Sequence, residues 1–563
     1  MRIFIAAISI LLGALALVVG IGQRTFWAPP ETVTATVQTE LKDAPLTVVE
    51  PGVAEIEDRP VDVTVEADGE FTAALGRSSD VDAWVGKAAH NTISGIDDEA
   101  MTLTAEHSKG EAKVPNPKNS DLWVASESAD SHMVHRWTAP DEGDWSLLLA
   151  TDGTKAAPTD ITVSWENDAT APFSIPLIIV GSLLILFGLA SVLVGRGGRG
   201  KGPEASAPTG GGSTTPAAGS GSGASTLQRT ATVVAAAALV LVPALPASAA
   251  TGSATASPSA SSTEQDQDGD DVHAVLQEDQ LDRILESVAD TVSSGDKAQD
   301  AKKLKSRVGG DALSLRKTNY SQRNDGLKIP APGTVAAAPV RSAAVTTTTK
   351  WPRTSMIVTQ AKDAKIPRVL VLKQEDPRAN YKLINEVSML PGSEFPGLAV
   401  GDTSVRTLDN KDDSVKTAPA TAAKDLAAYL SDSKSKKKGQ FAESAFISAT
   451  HEGQAKEIKD NKNAKIKYEH KVDQKSLEVL STPNGGALVS GLLNSTMTAT
   501  PKEEGGTVKL DDASAKLADA KSTKKGVVTK SAEPVVFYIP GADSKDKIRL
   551  IAGEIVLQSA KVK

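Results

Sequence analysis

Residues 3–23 read IFIAAISILLGALALVVGIGQ, an uncharged run between Arg2 and Arg24. A helix of about 20 apolar residues is long enough to cross the hydrocarbon core of a bilayer. The aromatic pair Phe26 and Trp27 follows the run and suits the interfacial belt of a membrane helix. A cleavable signal peptide is the alternative, but the sequence after the run has no convincing small-x-small cleavage site. We therefore predict an uncleaved transmembrane helix over residues 3–22.

A second apolar segment spans residues 173–195 (FSIPLIIVGSLLILFGLASVLVG) and predicts a second transmembrane helix. Three cations follow it at once: Arg196, Arg199 and Lys201. The positive-inside rule places these cations in the cytoplasm, so residues 28–172 are expected to lie outside. Residues 196–229 are rich in glycine and serine, which is typical of a random-coil linker, here cytoplasmic.

A third apolar segment spans residues 230–250 (TATVVAAAALVLVPALPASAA). Its apolar core is short for a membrane span, and two prolines interrupt it. Two interpretations stay open. The segment is either an alanine-rich third transmembrane helix or a signal-like segment that signal peptidase cuts at the small-x-small site of Ala247 and Ala249. Both interpretations place residues 251–563 outside.

Charge is distributed unevenly behind an overall value of -9. Residues 28–172 carry 28 Asp and Glu against 9 Lys and Arg, whereas residues 251–563 carry 41 against 46. A strongly acidic surface repels anionic polymers, and a mildly basic surface tolerates or attracts them. The chain has no cysteine, which excludes disulfides, thiolate metal sites and cysteine nucleophiles. Both outer regions must therefore fold by burying an apolar core.

Residues 28–172 are predicted to form an extracytoplasmic all-β sandwich. Short runs such as VDVTVEA and ITVSWEN alternate with period two, and Pro, Gly, Asp and Asn turns separate them, which favours antiparallel strands. The region also holds five tryptophans, which we interpret as core side chains: Trp84, Trp123, Trp137, Trp145 and Trp165. An aromatic platform for carbohydrate is the alternative.

Residues 251–271 are predicted to form a disordered stalk, and a tandem α+β region follows it. The two modules span residues 272–415 and 416–563. In the first, apolar residues recur at helical spacing over residues 281–292, and strand-like runs such as RVLVL follow. The same order recurs in the second module, where Asn484-Gly485 predicts a hairpin turn. This repeated order indicates a tandem duplication.

Several of these stretches carry a resemblance to a known family. The amino-terminal anchor followed by GQRTFWAPPETVTA, the linker, and the runs RVLVL, INEVSMLPG, GGALVSG and PVVFYIP resemble uncharacterised actinobacterial multi-span membrane proteins. The units of helices followed by a curved sheet are similar to the NTF2-like cone fold. The resemblance covers nearly the whole chain and implies a location and a fold, but it supplies no catalytic residue. NTF2-like cones hold a small ligand or serve as spacers and dimerisation modules, and both uses stay open.

The sequence contains no recurrent catalytic signature: no GxSxG elbow, Walker loop, dinucleotide fingerprint or HExxH. His132 and His135 are close in sequence, but their spacing on a strand puts them on opposite faces, which is poor geometry for zinc. The carboxylates of residues 266–271 lack the EF-hand register, so a solvated acidic stalk is favoured over a calcium site. We predict no catalytic residue, no cofactor and no metal site.

The most basic stretch of the chain lies between residues 434 and 475. Candidate contacts for an anionic polymer, or for the acidic sandwich, are Lys434, Lys436, Lys437, Lys438, Lys456, Lys459 and Lys462. Acidic residues are interleaved with these lysines. A solvated helix face with its own ion pairs is therefore the default interpretation, and a binding surface is the alternative.

Two glycine pairs share a seven-residue spacing in the first two apolar segments: Gly13 with Gly20, and Gly181 with Gly188. This spacing places small residues along one face of each helix, and such faces favour close helix packing in lipid. Chance is the alternative, since glycine is common in membrane spans.

Taken together, these features predict a non-enzymatic, multi-pass protein of the cell membrane that presents extracytoplasmic binding or assembly modules. The expected partners are the cytoplasmic membrane and cell-wall polymers or envelope proteins, with no nucleic acid, and the acidic and basic outer regions are expected to contact each other. The alternative is an envelope enzyme or ligand-binding protein that uses a pocket in an NTF2-like module. For an enzyme, ionisable groups would have to converge on one deep pocket.

Overall fold

A computed structural model describes residues 2–39, 41–54, 60–97, 100–137, 143–167, 171–196 and 273–563. The predicted linker beyond Arg196, the third apolar segment with Ala247 and Ala249, and the stalk lie outside the described residues. The chain divides into two units: Met1–Pro29 with Ala169–Gly269, and Pro30–Asp168 with Asp270–Lys563.

The first unit contains helices α1 (Arg2–Gly22) and α3 (Ser174–Arg196). They pack antiparallel, because Gly20 lies beside Ser174 while Gly13 lies beside Gly181. Both helices are long and apolar enough to cross a membrane. Many of their large apolar side chains are exposed, unlike those of a helix in the core of a soluble domain.

The second unit begins with a β-rich domain, here called the sandwich (residues 30–168). Its strands are β1 (Thr32–Val37), β2 (Leu46–Val49), β3 (Val61–Glu66), β4 (Phe71–Arg77), β5 (His90–Asp97), β6 (Thr102–Ser108), β7 (Ala125–Ala129), β8 (His132–Trp137), β9 (Trp145–Ala150) and β10 (Asp160–Glu166). Hydrogen bonds join them into one sheet in the order β7-β4-β9-β2-β5-β6-β1-β10-β3-β8. Residues from both halves of this sheet, such as Val63 on β3 and Leu149 on β9, share one buried core.

Two features of the sandwich differ from the predicted antiparallel, all-β domain. The pairs β2–β5 and β1–β6 are parallel. A parallel pair needs a crossover connection, and the strands that lie between its two members in sequence provide it. Residues Ser78–Val85 form a helix, α2, whose Val81, Trp84 and Val85 pack on the outer face of strands β2, β4 and β9. Four of the five tryptophans are buried and Trp165 is partly buried, which confirms the core interpretation and leaves no exposed platform among them.

The first α+β module consists of two helices followed by four strands. Its elements are α4 (Glu278–Ala298), α5 (Gly310–Asn324), β11 (Val340–Val345), β12 (Arg353–Thr359), β13 (Arg368–Gln374) and β14 (Lys382–Ser388). The strands pair in sequential order as an antiparallel meander. The apolar stripe predicted over residues 281–292 is buried on α4 against this sheet.

The second module repeats the order of helices before sheet. Its elements are α6 (Pro419–Ser431), α7 (Ala445–Asp460), β15 (Ala464–Ser481), β16 (Ala487–Pro501), β17 (Val508–Lys509), α8 (Asp512–Ala518), β18 (Ser522–Thr523), β19 (Val527–Ile539), β20 (Arg549–Gly553) and β21 (Val556–Val562). Asn484 and Gly485, the latter with φ +72°, lie in the turn between β15 and β16, which confirms the predicted hairpin. Lys465, Lys467 and Lys471 lie on strand β15, so the expected helix face is wrong for this part of the lysine-rich stretch.

The two modules stack as four layers, with the helices outside and the two sheets face to face. Along β12, Ile357 packs toward α4 and α5, whereas Met356 and Val358 pack toward the second sheet. Along β19, Phe537 packs toward α6 and α7, whereas Val536 packs toward the first sheet. Strands buried on both faces carry continuous apolar runs, as residues 356–358 (MIV) of β12 and 535–539 (VVFYI) of β19 do.

An acidic pair lies where α5 approaches β15. Burial raises the pKa of Asp311, in the first turn of α5, to about 6, and the carboxylate of Asp473 on β15 adds to the shift. Because this folded-state pKa lies above the ordinary value of an aspartate, the folded protein binds the proton more tightly than the unfolded chain. The contribution of Asp311 to stability is therefore lost as the pH rises from about 4 to about 6.

Asp311→Asn should remove this loss. Relative to the wild type, the variant is expected to gain more in Tm at about pH 8 than at about pH 4, measured by thermal unfolding. Asp512→Asn, which changes an exposed aspartate in the first turn of α8, is the matched control. An equal shift for Asp311→Asn at both pH values would contradict the assignment.

Candidate functional site

The most extensive polar constellation lies where the sandwich meets the first α+β module. The outer face of strands β2, β4 and β9, together with α2, forms an apolar cluster, and Trp351 of the first module packs on it. Around this apolar contact lie several buried charged groups. The site is therefore a domain interface.

Asp121 is the centre of the interface and is only 4% exposed. Its Oδ2 atom accepts hydrogen bonds from Arg307 Nη1 and, at 2.8 Å, from the backbone N–H of Tyr381. Its own N–H donates to Asn380 Oδ1 at 3.0 Å, and its carbonyl accepts from Gln280 Nε2 at 2.5 Å. A buried carboxylate is tolerated when donors compensate for lost hydration, and all of these partners belong to the first module.

A second buried pair joins Asp80, in the first turn of α2, to Arg353 on β12. Arg353 Nη2 lies 2.5 Å from Asp80 Oδ1, and both side chains are almost fully buried. The guanidinium of Arg353 also stacks on Trp351, 3.7 Å from the ring centroid. Tyr381 is fully buried nearby, and burial raises the pKa of its phenol, so this ring stays neutral.

Arg378 binds the other end of α2. Its Nε donates to the carbonyl of Trp84 at 2.8 Å, and its Nη2 donates to the carbonyl of Val85 at 2.9 Å. Carbonyls in the last turn of a helix lack partners within the helix and carry partial negative charge, so a cation there is favourable. The same guanidinium lies 5.3 Å from the ring centroid of Trp84. The first module therefore holds α2 at both of its ends.

A contact between the two outer regions was expected through the lysine-rich stretch, but the residues that form this interface were not predicted from the sequence. Asp80 and Asp121 are two of 28 acidic residues in the outer region, and nothing local distinguishes them from solvated carboxylates. The available signal was α2 itself: Val81, Trp84 and Val85 recur at helical spacing after Ser78-Ser79-Asp80. An amphipathic helix predicted inside this strand-rich region would have identified α2 as an element that packs on another domain.

The four glycines singled out in α1 and α3 lie on the surfaces where these helices meet. A Cβ added at Gly13 would lie 2.6 Å from the carbonyl oxygen of Gly181, and one at Gly188 would lie 2.9 Å from that of Ala6. Gly20 likewise faces the carbonyl of Ser174 at 2.9 Å. The two backbones therefore approach each other at distances that only glycine permits.

The candidate lysines belong to two separate elements and the residues next to them. Lys434 precedes a short 3-10 helix, Lys436–Gln440, which contains Lys436, Lys437 and Lys438, while Lys456 and Lys459 lie on α7 and Lys462 follows it. All are exposed except Lys437, which is half-buried and lies 2.9 Å from Asp425. The contacts described above between the sandwich and the rest of the second unit come from the first module. Docking of these lysines on the sandwich or on an anionic polymer stays a prediction.

The histidines occupy separate environments. His132 Nδ1 lies 2.6 Å from Glu66 Oε1, whereas His135 packs edge-on against Trp137, and burial lowers the pKa of His135. His470 is buried, with Nδ1 at 2.9 Å from Glu533 Oε2 and Nε2 at 3.1 Å from Gln454. In the part of the chain that the structure describes, no group of three or more His, Asp or Glu could hold a metal ion.

Comparison with known proteins adds no relative: no protein-family model, curated protein or solved structure matches the chain. The function must therefore be inferred from the geometry alone.

Asp121→Ala is expected to weaken the interface. Breaking one partner of a buried charge pair costs about 3–5 kcal/mol, because the remaining charge stays buried without compensation. The test places a protease recognition sequence after Gly212 in the full chain, cuts the purified protein in detergent and follows fragment association by size-exclusion chromatography. Wild-type fragments should elute together, and Asp121→Ala fragments should separate.

The matched control for this cut is Asp130→Ala, which removes an exposed aspartate of the same domain. Its fragments should elute together like those of the wild type. Asp121→Ala fragments that stay together at the same dilution would show that the Asp121–Arg307 pair is not needed.

Gly181→Leu is expected to separate α1 from α3, because its Cβ would lie 2.7 Å from the carbonyl oxygen of Gly13. The expected result is a lower thermal stability of the full chain in detergent. Ala190→Leu, which adds a similar side chain at an exposed position of α3, should leave the stability unchanged. Equal behaviour of the two variants would contradict close packing at Gly181.

Proposed function

We propose that the protein is a non-enzymatic, membrane-anchored protein of the cell envelope that presents one rigid extracytoplasmic body for binding or assembly. The observation that carries this proposal is the buried interface centred on Asp121. It joins the sandwich, which precedes α3, to the α+β region, which follows the linker. Both parts must therefore lie in the same compartment.

This constraint bears on the membrane topology. The sandwich precedes α3, and the α+β region that packs on it follows α3. If α3 crosses a membrane once, the chain must therefore cross again before residue 273. The third apolar segment, residues 230–250, is the apolar run in that interval. The cations Arg196, Arg199 and Lys201 after α3 favour a cytoplasmic linker and an outer body. These features support a multi-pass protein of the cell membrane.

The alternative function, an enzyme, finds less support in the second module. The space between its sheet and its helices is filled by buried side chains such as Leu426, Phe446 and Phe537. The His470–Glu533 pair is almost fully buried, and His470 is also hydrogen-bonded to Gln454. The surrounding side chains therefore block a substrate from reaching this pair. The order of two helices before an antiparallel sheet supports the NTF2-like prediction, and the filled interior favours its use as an assembly module.

The topology can be tested with single cysteines, because the wild-type chain has none. We expect Ser126→Cys and Ser433→Cys, both at exposed positions, to react with a membrane-impermeant maleimide in intact cells. Ser213→Cys, in the linker, should react only after the membrane is opened. The cysteine-free wild type is the control for background labelling.

Labelling of Ser213→Cys in intact cells would overturn the topology. Labelling of Ser126→Cys without Ser433→Cys would place the two parts of the interface in different compartments, which would contradict the proposal.

A further inference from the structure

A cavity of about 530 Å³ opens between the two α+β modules. One wall is helix α5, a second is the segment over residues 329–333, and a third is the segment that joins β20 to β21. The apolar residues of these walls include Leu315, Ile329, Pro330, Pro332, Ile555 and Leu557. A volume of this size is typical of pockets that bind small molecules.

Four charged side chains line the same cavity and form a polar floor. Arg316 Nη2 lies 2.6 Å from Glu386 Oε1, and Arg368 Nη1 lies 3.0 Å from Glu554 Oε1. Arg368 Nη2 also lies 3.7 Å from Glu386 Oε2. The charges of these four groups cancel, and one further carboxylate lies behind them. Behind the floor, Asp296 binds Arg316 Nη1 at 2.5 Å, which holds this arginine in place.

The floor holds buried polar atoms that make no hydrogen bond to the described residues, although Oε2 of Glu386 keeps its longer ion pair with Arg368. The donors are Nε of Arg316 and Nε of Arg368, and the acceptors are Oε2 of Glu386 and Oδ1 of Asn319. Arg316 is only 1% exposed, and its charge is fixed: burial opposes it, yet Glu386 and Asp296 raise its pKa. Buried polar atoms are normally satisfied, so unsatisfied donors and acceptors of residues that line one cavity call for an explanation, and a bound polar group would supply it.

Gly333 shows that the floor is built around this arrangement. A Cβ at residue 333 would collide with the guanidinium of Arg368, and the Gly333 carbonyl accepts from Arg316 Nη2 at 3.0 Å. The segment that covers the cavity is therefore fitted to both arginines.

The charge of the floor limits the chemistry of the ligand. An anion would have to displace a carboxylate from its arginine, and a cation would have to displace an arginine from its carboxylate. A neutral group that carries both an acceptor and a donor would satisfy the free atoms and break no ion pair. An amide is such a group, because its carbonyl can accept from guanidinium N–H groups while its N–H donates to Glu386.

We propose that this cavity binds a short apolar peptide segment, with apolar side chains against the walls and one backbone amide on the Arg316–Arg368–Glu386 floor. This inference deepens the binding role proposed above and rests on it. The cysteine experiment tests only the compartment, and the experiment below tests only ligand binding. A failure of the proposed topology can therefore be distinguished from a failure of the proposed peptide site.

The test uses the full-length protein in lipid nanodiscs and three small probes. N-isopentyl isocaproamide carries one amide between two branched apolar arms, isopentyl isocaproate replaces its N–H by oxygen, and isocaproate is the corresponding anion. Binding is measured by saturation-transfer difference NMR up to roughly 10 mM, where weak fragments are still detected. The amide should bind at least roughly tenfold more tightly than the ester, because the ester cannot donate to Glu386.

Variants locate the site. Ile555 is exposed at the cavity, so Ile555→Asp should fold and should weaken amide binding roughly tenfold or more. Ile458→Asp, which changes an equally exposed isoleucine on α7 outside the cavity, is the matched control and should bind like the wild type. Glu386→Leu, which leaves no oxygen to accept the amide N–H and is used after its thermal unfolding is checked, should abolish the preference for the amide over the ester.

Three results would overturn the proposal. They are no saturation transfer to the amide, equal binding of amide and ester by the wild type, and tighter binding of isocaproate than of the amide. Equal weakening by Ile555→Asp and Ile458→Asp would also overturn it, since the probe would then bind elsewhere.

Discussion

A carboxylate that is buried away from water needs hydrogen-bond donors. The donors to the Asp121 carboxylate are on the first module, which follows two further apolar segments in the sequence. The same holds for Asp80, whose partner Arg353 is 273 residues away in sequence. Removing either arginine would leave its carboxylate buried without compensation, and separating the two parts would expose to water the apolar cluster around α2 on which Trp351 packs. This constraint fixes the sandwich on the α+β region and makes two sequence regions one folded body.

From that contact, a series of apolar cores runs through the second unit. The cluster around α2 and Trp351 adjoins the first module, whose helices and sheet share a second core. A third core lies between the two sheets, and a fourth lies under α6 and α7. The first sheet and the part of the second sheet around Leu480, Leu488 and Val536 are thus buried on both faces, so separating the modules would leave a large apolar surface in water. The repeated order of helices before sheet is therefore tied to their mutual packing.

Local patterns predicted the local structure well, because period and turn chemistry are properties of neighbouring residues. The stripe on α4, the alternation on β3 and β10, and the Asn484-Gly485 turn are of this kind. The glycines of α1 and α3 could also be picked out by their spacing. What depends on partners distant in sequence could not be predicted: the parallel pairing of β2 with β5, the face-to-face sheets, and the donors of Asp121, one of which is 260 residues away. Helix α2 was missed for a different reason, since its helical spacing covers barely two turns inside a region dominated by strand patterns.

The lysine-rich stretch is conspicuous in the sequence, yet arginines make the contacts described across the interface. The chemistry of the two side chains accounts for this difference. A guanidinium is planar, more weakly hydrated than an ammonium, and donates in several directions at once. Arg353 uses this to pair with Asp80 while stacking on Trp351, and Arg378 uses it to bind two carbonyls of α2 while lying near Trp84. An ammonium is strongly hydrated and loses more when it is buried, so lysines stay at the surface. The surface lysines therefore stay hydrated and contribute to the charge of the second outer region, whereas a few buried arginines hold the sandwich on the first module.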